Sequence, residues 1–182
     1  MKLLYNKVPL RRKGEHMSYT FVRTTNSEKP LIIIKTVASW LKGRGSSQWD
    51  TYLLGEEDRI IAYAAERGET FLIFHADIPI ATFNVSRQPN KWDLSLWGEN
   101  NDQTFYLHRV AVIPSYMGHS IGNKIMEYVE ELAMEENVPA IRLDCSMDNK
   151  KLNTFYEMNG YSKIKSINGM TLYQKQLGAI TC

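Results

Sequence analysis

The stretch YLHRVAVIPSYMGHSIG, residues 106–122, contains the features that decide the fold of this chain. It begins inside an apolar, β-rich run from Thr104 to Val112, which predicts a buried strand that ends before Pro114. A short glycine-containing loop follows, and an amphipathic helix begins near Ile121. The backbone N–H groups of such a loop and the positive end of the helix suit a phosphate or pyrophosphate. A plain strand-to-helix connection is the competing interpretation, because the Walker loop and the three-glycine dinucleotide motif are both absent.

On the N-terminal side of this stretch, the periodicity of apolar residues predicts both strands and helices. The expected elements are a strand at 19–23, a helix at 30–41, a helical region at 49–67 that can break near Gly55, and a hairpin of strands at 69–75 and 78–85. Residues 91–97 alternate only weakly, so the middle of the chain has three or four strands. We interpret Pro89-Asn90, just before them, as a turn.

On the C-terminal side, the pattern predicts a helix, a strand, a second helix and a hairpin. The expected elements are a helix from Ile121 that ends before Asn137, a strand at 140–145, a helix capped by Asp148 or Asn149 that ends at Gly160, and strands at 161–167 and 170–177 that turn at Asn168-Gly169. The fold class is therefore α/β of the α+β type, with a mixed, largely antiparallel central sheet flanked by helices.

Length and charge limit the functional classes. A chain of 182 residues points to a single domain, which we place at 17–182. Residues 1–16 carry five Lys or Arg against one Glu, and we expect either a disordered leader or a natural basic extension. The formal net charge of +2 gives no reason to expect a nucleic-acid or membrane partner. No apolar run reaches the roughly 20 residues of a membrane span, so we expect a cytoplasmic protein. Cys145 and Cys182 are expected to be free thiols.

Two segments resemble the acetyl-CoA signatures of the GNAT superfamily of N-acyltransferases. The first combines LHRVAV at 107–112, Pro114 and the loop MGHSIG at 117–122. The second is NKKLNTFYEMNGY at 149–161, where an asparagine precedes a helix and a tyrosine lies four residues before a glycine–aromatic pair. The signatures cover roughly residues 104–165, and the element order matches the family from about residue 19 to 177. The resemblance implies a splayed central sheet and transfer of an acetyl group from acetyl-CoA to an amine.

The resemblance also implies roles for individual residues. The backbone of the central strand would pair with the pantetheine arm, the loop N–H groups would hold the pyrophosphate, and Asn149 would hydrogen-bond the pantetheine. Tyr156 would act as general acid toward the leaving thiolate. The implied coenzyme-binding residues are Val110, Ala111, Val112, Met117, Gly118, His119, Ser120, Ile121, Gly122, Asn123, Asn149, Leu152 and Tyr156.

The loop departs from the family pattern at two places. The family has glutamine or arginine at the first place of this loop and glycine at the fourth, where this chain has Met117 and Ser120. Backbone amides can bind an anion in spite of both changes, and serine allows close approach unless a positive φ is needed. We therefore expect an altered coenzyme affinity, not a lost one.

His108 is the candidate general base. An amine with a lysine-like pKa near 10.4 must lose a proton before it attacks a thioester, and histidine titrates in the useful range. The strand is also similar to its counterpart in serotonin N-acetyltransferase, where a histidine at this place helps to deprotonate the amine through water. A core histidine satisfied by hydrogen bonds is the alternative. A nucleophilic Cys145 would give a covalent route instead, although free cysteines are usually small buried hydrophobes.

The acceptor is the least determined part of the prediction. Aromatic residues in the helices and the middle loop, with nearby acids, suggest a pocket for a cationic amine, while core packing and solvated loop acids are the alternative. These residues are Trp40, Trp49, Tyr52, Trp92, Trp97, Asp93, Glu99 and Asp102. His75 and His119 lack metal-ligand spacing, so we expect no metal. An acyl-CoA-binding regulatory domain without turnover, and an enzyme that acts on a peptide or protein amine, remain alternatives. A homodimer through the last two strands, as in other members of the superfamily, also stays open.

Overall fold

The computed structural model describes residues 18–99 and 102–178, so the expectations for residues 1–16 and for Cys182 lie outside the described residues. Seven strands and six α-helices follow one another in this part of the chain. In chain order they are β1 (Tyr19–Thr24), α1 (Glu28–Gly43), α2 (Asp50–Leu54), α3 (Asp58–Glu66), β2 (Thr70–His75), β3 (Ile78–Ser86), α4 (Lys91–Trp97), β4 (Thr104–Val112), α5 (Ile121–Glu135), β5 (Ala140–Ser146), α6 (Lys150–Met158), β6 (Ser162–Ile167) and β7 (Met170–Gln176).

The seven strands form one sheet in the order β1-β2-β3-β4-β5-β7-β6. β2 pairs antiparallel with β1 and with β3, and β7 pairs antiparallel with β5 and with β6. The pairing of β4 with β5 is parallel, as a strand–helix–strand connection through α5 requires. The expected class, a mixed and largely antiparallel sheet with helices, is confirmed.

The chain divides into two compact units. Of the described residues, the first contains 18–84 together with Arg109–Ile121. Its core lies between α1 and the sheet: Ile33, Ile34 and Val37 are buried in one cluster with Leu72 of β2 and Ala111 of β4. A second contact stacks the rings of Phe71 and Phe83, whose centroids lie 5.0 Å apart. Apolar positions three and four residues apart on α1 produce this buried face.

Of the described residues, the second unit contains 85–99, 102–108 and 122–178. Ile125 and Val129, which the sequence pattern places on one face of α5, are fully buried. Asn149 caps α6, and its side chain accepts a hydrogen bond from the Leu152 N–H at 3.1 Å. Asn168 and Gly169 both have positive φ, as a two-residue hairpin turn requires, so the final hairpin is also as predicted.

Of the three or four strands expected in the middle of the chain, the described residues form three, β2, β3 and β4. Residues 91–97, the weakly alternating candidate for a fourth middle strand, form helix α4. Asn90, interpreted as part of a turn, is its N-cap: the Asn90 side chain accepts from the backbone of Trp92 and Asp93, and the Asp93 carboxylate accepts from the Asn90 N–H. This reciprocal capping box starts a helix too short for its periodicity to be visible. No helix in residues 18–99 and 102–178 has the length and apolar character needed to cross a bilayer.

Candidate active site

β4 carries the first part of the candidate site. Its parallel pairing with β5 covers only Thr104–Tyr106 and Ala140–Arg142, although β4 runs on to Val112 and β5 to Ser146. This pairing thus covers three of the nine residues of β4 and three of the seven of β5, as the splay that the family resemblance implies requires. Arg109, with φ of 52°, breaks the regular strand at this level. A strand that leaves its neighbour has backbone N–H and C=O groups available for a ligand.

Beyond the break, the three expected pantetheine-binding residues differ in environment. The Ala111 side chain is buried in the hydrophobic cluster of the first unit, so it can offer a ligand only its backbone. Val110 and Val112 are partly exposed. This alternation is what an extended strand with one covered face produces.

The loop that follows β4 presents its backbone to solvent. Residues 114–116 form one turn of 3₁₀ helix, and the Met117 N–H donates to the Pro114 carbonyl at 3.2 Å. Among the described residues, nothing accepts from the N–H groups of Gly118, His119 or Ser120, and all three are exposed. Helix α5 begins at the next residue. These three amides and the helix start form an arrangement that suits an anion.

Two residues of this loop have the left-handed backbone that favours glycine. Gly118 has φ of 85°, and no atom lies within 4 Å of the place where a Cβ would be. Ser120 has φ of 58°. The condition that would make serine costly at the fourth place of the loop is therefore met, since an L-residue in this region is strained by about 1–2 kcal/mol.

Gly122 has a different reason to be glycine. A Cβ at Gly122 would lie 3.0 Å from Cζ of Phe155 on α6. The first turn of α5 therefore packs directly on α6, the helix that carries Tyr156. Asn123, also expected near the coenzyme, is exposed, and Leu152 lies half-buried in the first turn of α6.

Tyr156, the candidate general acid, is 5% exposed on α6. Its ring lies 6.0 Å from that of Tyr161 and 5.8 Å from that of Tyr173, centroid to centroid. Burial raises the pKa of the Tyr156 hydroxyl well above its usual value of 10.0, and the charges of Cys145 and Asp144 raise it further. The phenol is therefore protonated throughout the physiological range, so it can donate a hydrogen bond or a proton.

His108, the candidate base, is held by a carboxylate. Its Nε2 lies 3.1 Å from Oδ2 of Asp93, and its side chain is 13% exposed, against 1% for Asp93. Asp93 is the capping-box residue of α4 described above. The pair is thus a histidine on β4, two residues beyond the last residue paired with β5, and a buried carboxylate in the first turn of α4.

A second carboxylate completes this cluster. Asp144 on β5 follows His108 by 36 residues, the same offset that pairs Thr104 with Ala140, and an oxygen of its carboxylate lies within 4.8 Å of a His108 ring nitrogen. Asp144 accepts hydrogen bonds from Trp92 Nε1 at 3.2 and 3.3 Å. Burial raises its pKa, and the charge of His108 acts in the opposite direction. Asp93, His108 and Asp144 each offer an atom within 4.8 Å of the others, a spacing that could also hold a metal ion.

Cys145 lies next in β5 but has the properties of a core residue. It is buried, and burial raises the pKa of its thiol to about 12, with a further contribution from the charge of Asp144. A nucleophilic cysteine requires a lowered pKa, because only the thiolate attacks.

Within the second unit, two acids of the pocket expected for the acceptor have partners of their own. Asp93 is buried against His108, and Oδ2 of Asp102 forms an ion pair with Nη2 of Arg142 at 2.8 Å. The Arg142 guanidinium also lies 4.8 Å from the centre of the Trp97 ring. Trp92 is the aromatic residue of that prediction that reaches the cluster around His108, through its indole N–H to Asp144. Sequence reasoning missed both carboxylate partners. The spacing Asn90-x-x-Asp93 and the parallel register of β4 and β5 were the signals that could have located them.

Comparisons with known proteins identify the family of this chain. Residues 34–161 match the model of the acetyltransferase (GNAT) family. The chain is 31% identical over 150 residues to the uncharacterized N-acetyltransferase YesJ of Bacillus subtilis, covering 81% of this chain and 83% of that protein. A crystal structure of a GNAT-family acetyltransferase from Listeria monocytogenes matches with 31% identity and a TM-score of 0.80, over 91% of this chain and 99% of that one.

A more distant structure shows the fold alone. PaiA N-acetyltransferase from Thermoplasma acidophilum, solved in complex with coenzyme A, is 15% identical, with a TM-score of 0.70 over 88% of this chain and 99% of that one. The family match spans both signature segments and most of the described elements. This chain belongs to the GNAT family of acetyltransferases and is an acyltransferase of the N-acetyltransferase type.

Proposed function

We propose that this enzyme transfers an acetyl group from acetyl-CoA to the primary amine of a small molecule, directly within a ternary complex. The observation that carries the proposal is the cluster around His108. A histidine on the family's central strand contacts a buried carboxylate at 3.1 Å, and Asp144 beside it acts electrostatically on both His108 and Tyr156. The candidate base and the candidate acid are thus both coupled to the same carboxyl group.

The residues present fit the coenzyme. The N–H groups of Gly118, His119 and Ser120 suit its pyrophosphate, and the open space at Gly118 allows close approach. The unpaired part of β4, with Val110, Ala111 and Val112, suits the amides of the pantetheine arm. Asn149 uses its side-chain oxygen as a helix cap, which leaves its NH₂ group to donate to that arm. The Met117 N–H already donates to Pro114, so we assign Met117 the weakest contribution.

The bound coenzyme supplies an acetyl thioester, and the protein supplies the proton transfers. His108 takes a proton from the acceptor ammonium, directly or through water, which leaves a lone pair on nitrogen for the new N–C bond. A backbone N–H of the splayed β4 can donate to the oxyanion that forms on the carbonyl. His108 then holds the proton removed from nitrogen until solvent takes it.

Tyr156 acts at the second half of the reaction. When the C–S bond breaks, the electron pair stays on sulfur, and the Tyr156 hydroxyl donates its proton to that thiolate. The second proton, which the nitrogen loses as it becomes an amide, passes through water to the tyrosinate and restores the phenol. The raised pKa of Tyr156 keeps the donor loaded at every physiological pH. It also makes the phenol a weak acid, so we expect the transfer to be completed only as negative charge accumulates on sulfur.

Direct transfer is favoured over an acetyl-enzyme intermediate by the state of Cys145. A thiol whose pKa is about 12 holds less than about one part in 10⁴ as thiolate at neutral pH.

The negative charge near His108 favours a cationic amine as the acceptor. Asp93 and Asp144 surround His108 with two carboxyl groups, and such a site suits a small cationic amine better than a neutral or anionic acceptor.

The test is acetyl-CoA-dependent thiol release against a panel of primary amines, with wild type and Tyr156→Phe compared. We expect acceptor-dependent release that falls about 10²–10⁴-fold in Tyr156→Phe, the usual size of a general-acid contribution. Coenzyme A binding by calorimetry should change little, because the variant keeps the ring. Tight binding of acetyl-CoA with no release on any amine would instead favour a regulatory domain without turnover. A protein that does not bind acetyl-CoA would refute the proposal.

A further inference from the structure

We propose that Asp93 is a positioning residue that holds His108 as its Nε2–H tautomer, so that Nδ1 is the atom that takes the proton from the acceptor. The inference rests on the proposed function for its chemistry. Its geometry, however, is independent of any substrate.

The tautomer follows from the hydrogen bond. A carboxylate oxygen can only accept, and Asp93 Oδ2 lies 3.1 Å from Nε2 of His108. Nε2 must therefore carry the hydrogen in the neutral imidazole. The lone pair is then on Nδ1, and only an unprotonated nitrogen can receive a proton. The choice of Nδ1 as the basic atom is thus made by a residue that need not touch the substrate.

Asp93 is itself fixed with little freedom. It is 1% exposed, and its Oδ2 also accepts from the Asn90 N–H at 2.9 Å. Its Oδ1 has no hydrogen-bond partner among the described residues. A buried carboxylate with one unsatisfied oxygen gains from a nearby positive charge, and protonation of His108 supplies that charge 3.1 Å away. The pair thereby stabilises the imidazolium that forms when the amine loses its proton.

The other titratable groups near His108 interact with residues other than its ring. Asp144 faces it from β5, but the Trp92 indole N–H occupies the Asp144 carboxylate. Tyr156 and Cys145 lie close enough to Asp144 for its charge to act on them, and burial raises the pKa of each. Among the described residues, Asp93 is the direct hydrogen-bond partner of the His108 ring.

The first test reads the tautomer without any turnover. Long-range ¹H–¹⁵N spectra of the full chain separate a protonated from an unprotonated ring nitrogen, and His108→Gln identifies the His108 signals among the four histidines. We expect the Nε2–H form in wild type and a mixture of tautomers in Asp93→Asn. A wild-type spectrum of the Nδ1–H form would overturn the inference. This readout stands even where no acetyl acceptor is found, so failure of the proposed function is distinguishable.

The second test reads the consequence for catalysis. We expect Asp93→Asn to lower kcat/KM about 10²–10⁴-fold, through kcat, with little change in KM for acetyl-CoA. Because Asp93 also closes the α4 capping box, the matched control is Asn90→Ala. That variant loses the cap but keeps the backbone N–H that holds Asp93.

Asn90→Ala should lower the melting temperature while turnover stays within about twofold. If Asp93→Asn and Asn90→Ala lose activity equally, Asp93 is a helix cap and no more, and the inference fails. Loss of wild-type turnover in EDTA, restored by a divalent metal, would also overturn it, because the three side chains would then be metal ligands.

Discussion

Replacing Gly122 by alanine tests whether the glycine of the coenzyme signature is required by packing. Gly122 has an ordinary helical backbone in the first turn of α5, so freedom of φ does not explain it. An alanine Cβ would lie 3.0 Å from Cζ and 3.3 Å from Cε2 of Phe155. Carbon atoms in good contact lie about 3.5–4.0 Å apart, so either the ring or the helix must shift.

The magnitude follows from two opposing effects. Overpacking a well-filled contact costs about 1–3 kcal/mol. Alanine is a better helix former than glycine, which returns up to about 1 kcal/mol. We expect Gly122→Ala to lower the free energy of unfolding by about 1–2 kcal/mol, which is about 2–8 °C in Tm for a chain of this length.

Urea and thermal unfolding of four proteins make the test specific: wild type, Gly122→Ala, Phe155→Leu and the double variant. If the clash with the ring is the cause, Gly122→Ala costs less in the Phe155→Leu background, with a coupling energy of about 0.5–3 kcal/mol. Because the added methyl points at Phe155, the double variant should bind coenzyme A as Phe155→Leu does. Equal costs in both backgrounds, or a Gly122→Ala protein as stable as wild type, would refute the reasoning.

Three further predictions follow from the site. Ser120→Gly should raise the free energy of unfolding by up to about 1 kcal/mol, because it relieves a left-handed φ of 58° but frees the unfolded chain; urea unfolding measures the net effect. For Asp144, burial raises the folded pKa, so its contribution to stability is fully present below the unfolded value near 3.9 and is lost as pH rises through the folded value. Asp144→Asn should therefore gain stability relative to wild type as pH rises from about 4 to 8 in denaturant titrations. Cys145→Ala should keep turnover within about threefold, and intact-mass analysis after incubation with acetyl-CoA alone should show no acetyl group on wild type.

The parts of the fold predicted from sequence are those with strong local signals. β4 was expected at Thr104–Val112 and has those bounds, because an apolar β-rich run closed by proline permits few other structures. Gly55 divides the second helical region, since its φ of 77° ends α2. Helix α4 was missed because seven residues show fewer than two turns of periodicity.

The residues of the candidate site also differ in how well the sequence predicts them. Tyr156, Asn149 and the loop at 117–122 lie in contiguous signatures and were located from the sequence. The partners of His108 were not, because Asp93 precedes it by 15 residues and Asp144 follows it by 36, and only the sheet register and the packing of α4 bring them together. The sequence predicted backbone strain at Ser120 only if this residue has a positive φ. The sequence does not show whether a non-glycine residue has a positive φ, so the strain itself could not be predicted.

Asp93 connects stability to the proposed chemistry. The carboxylate that closes the capping box of α4 is the same group that contacts His108, so one side chain serves a helix and a base. A helix of seven residues has little stability of its own and depends on its cap and its packing. Opening of α4 therefore releases Asp93 and, with it, the constraint on the His108 ring. If Asp93 selects the basic nitrogen, conditions that fray α4 must lower turnover before the sheet unfolds, and amide hydrogen exchange at α4 should rise in step with the loss of activity.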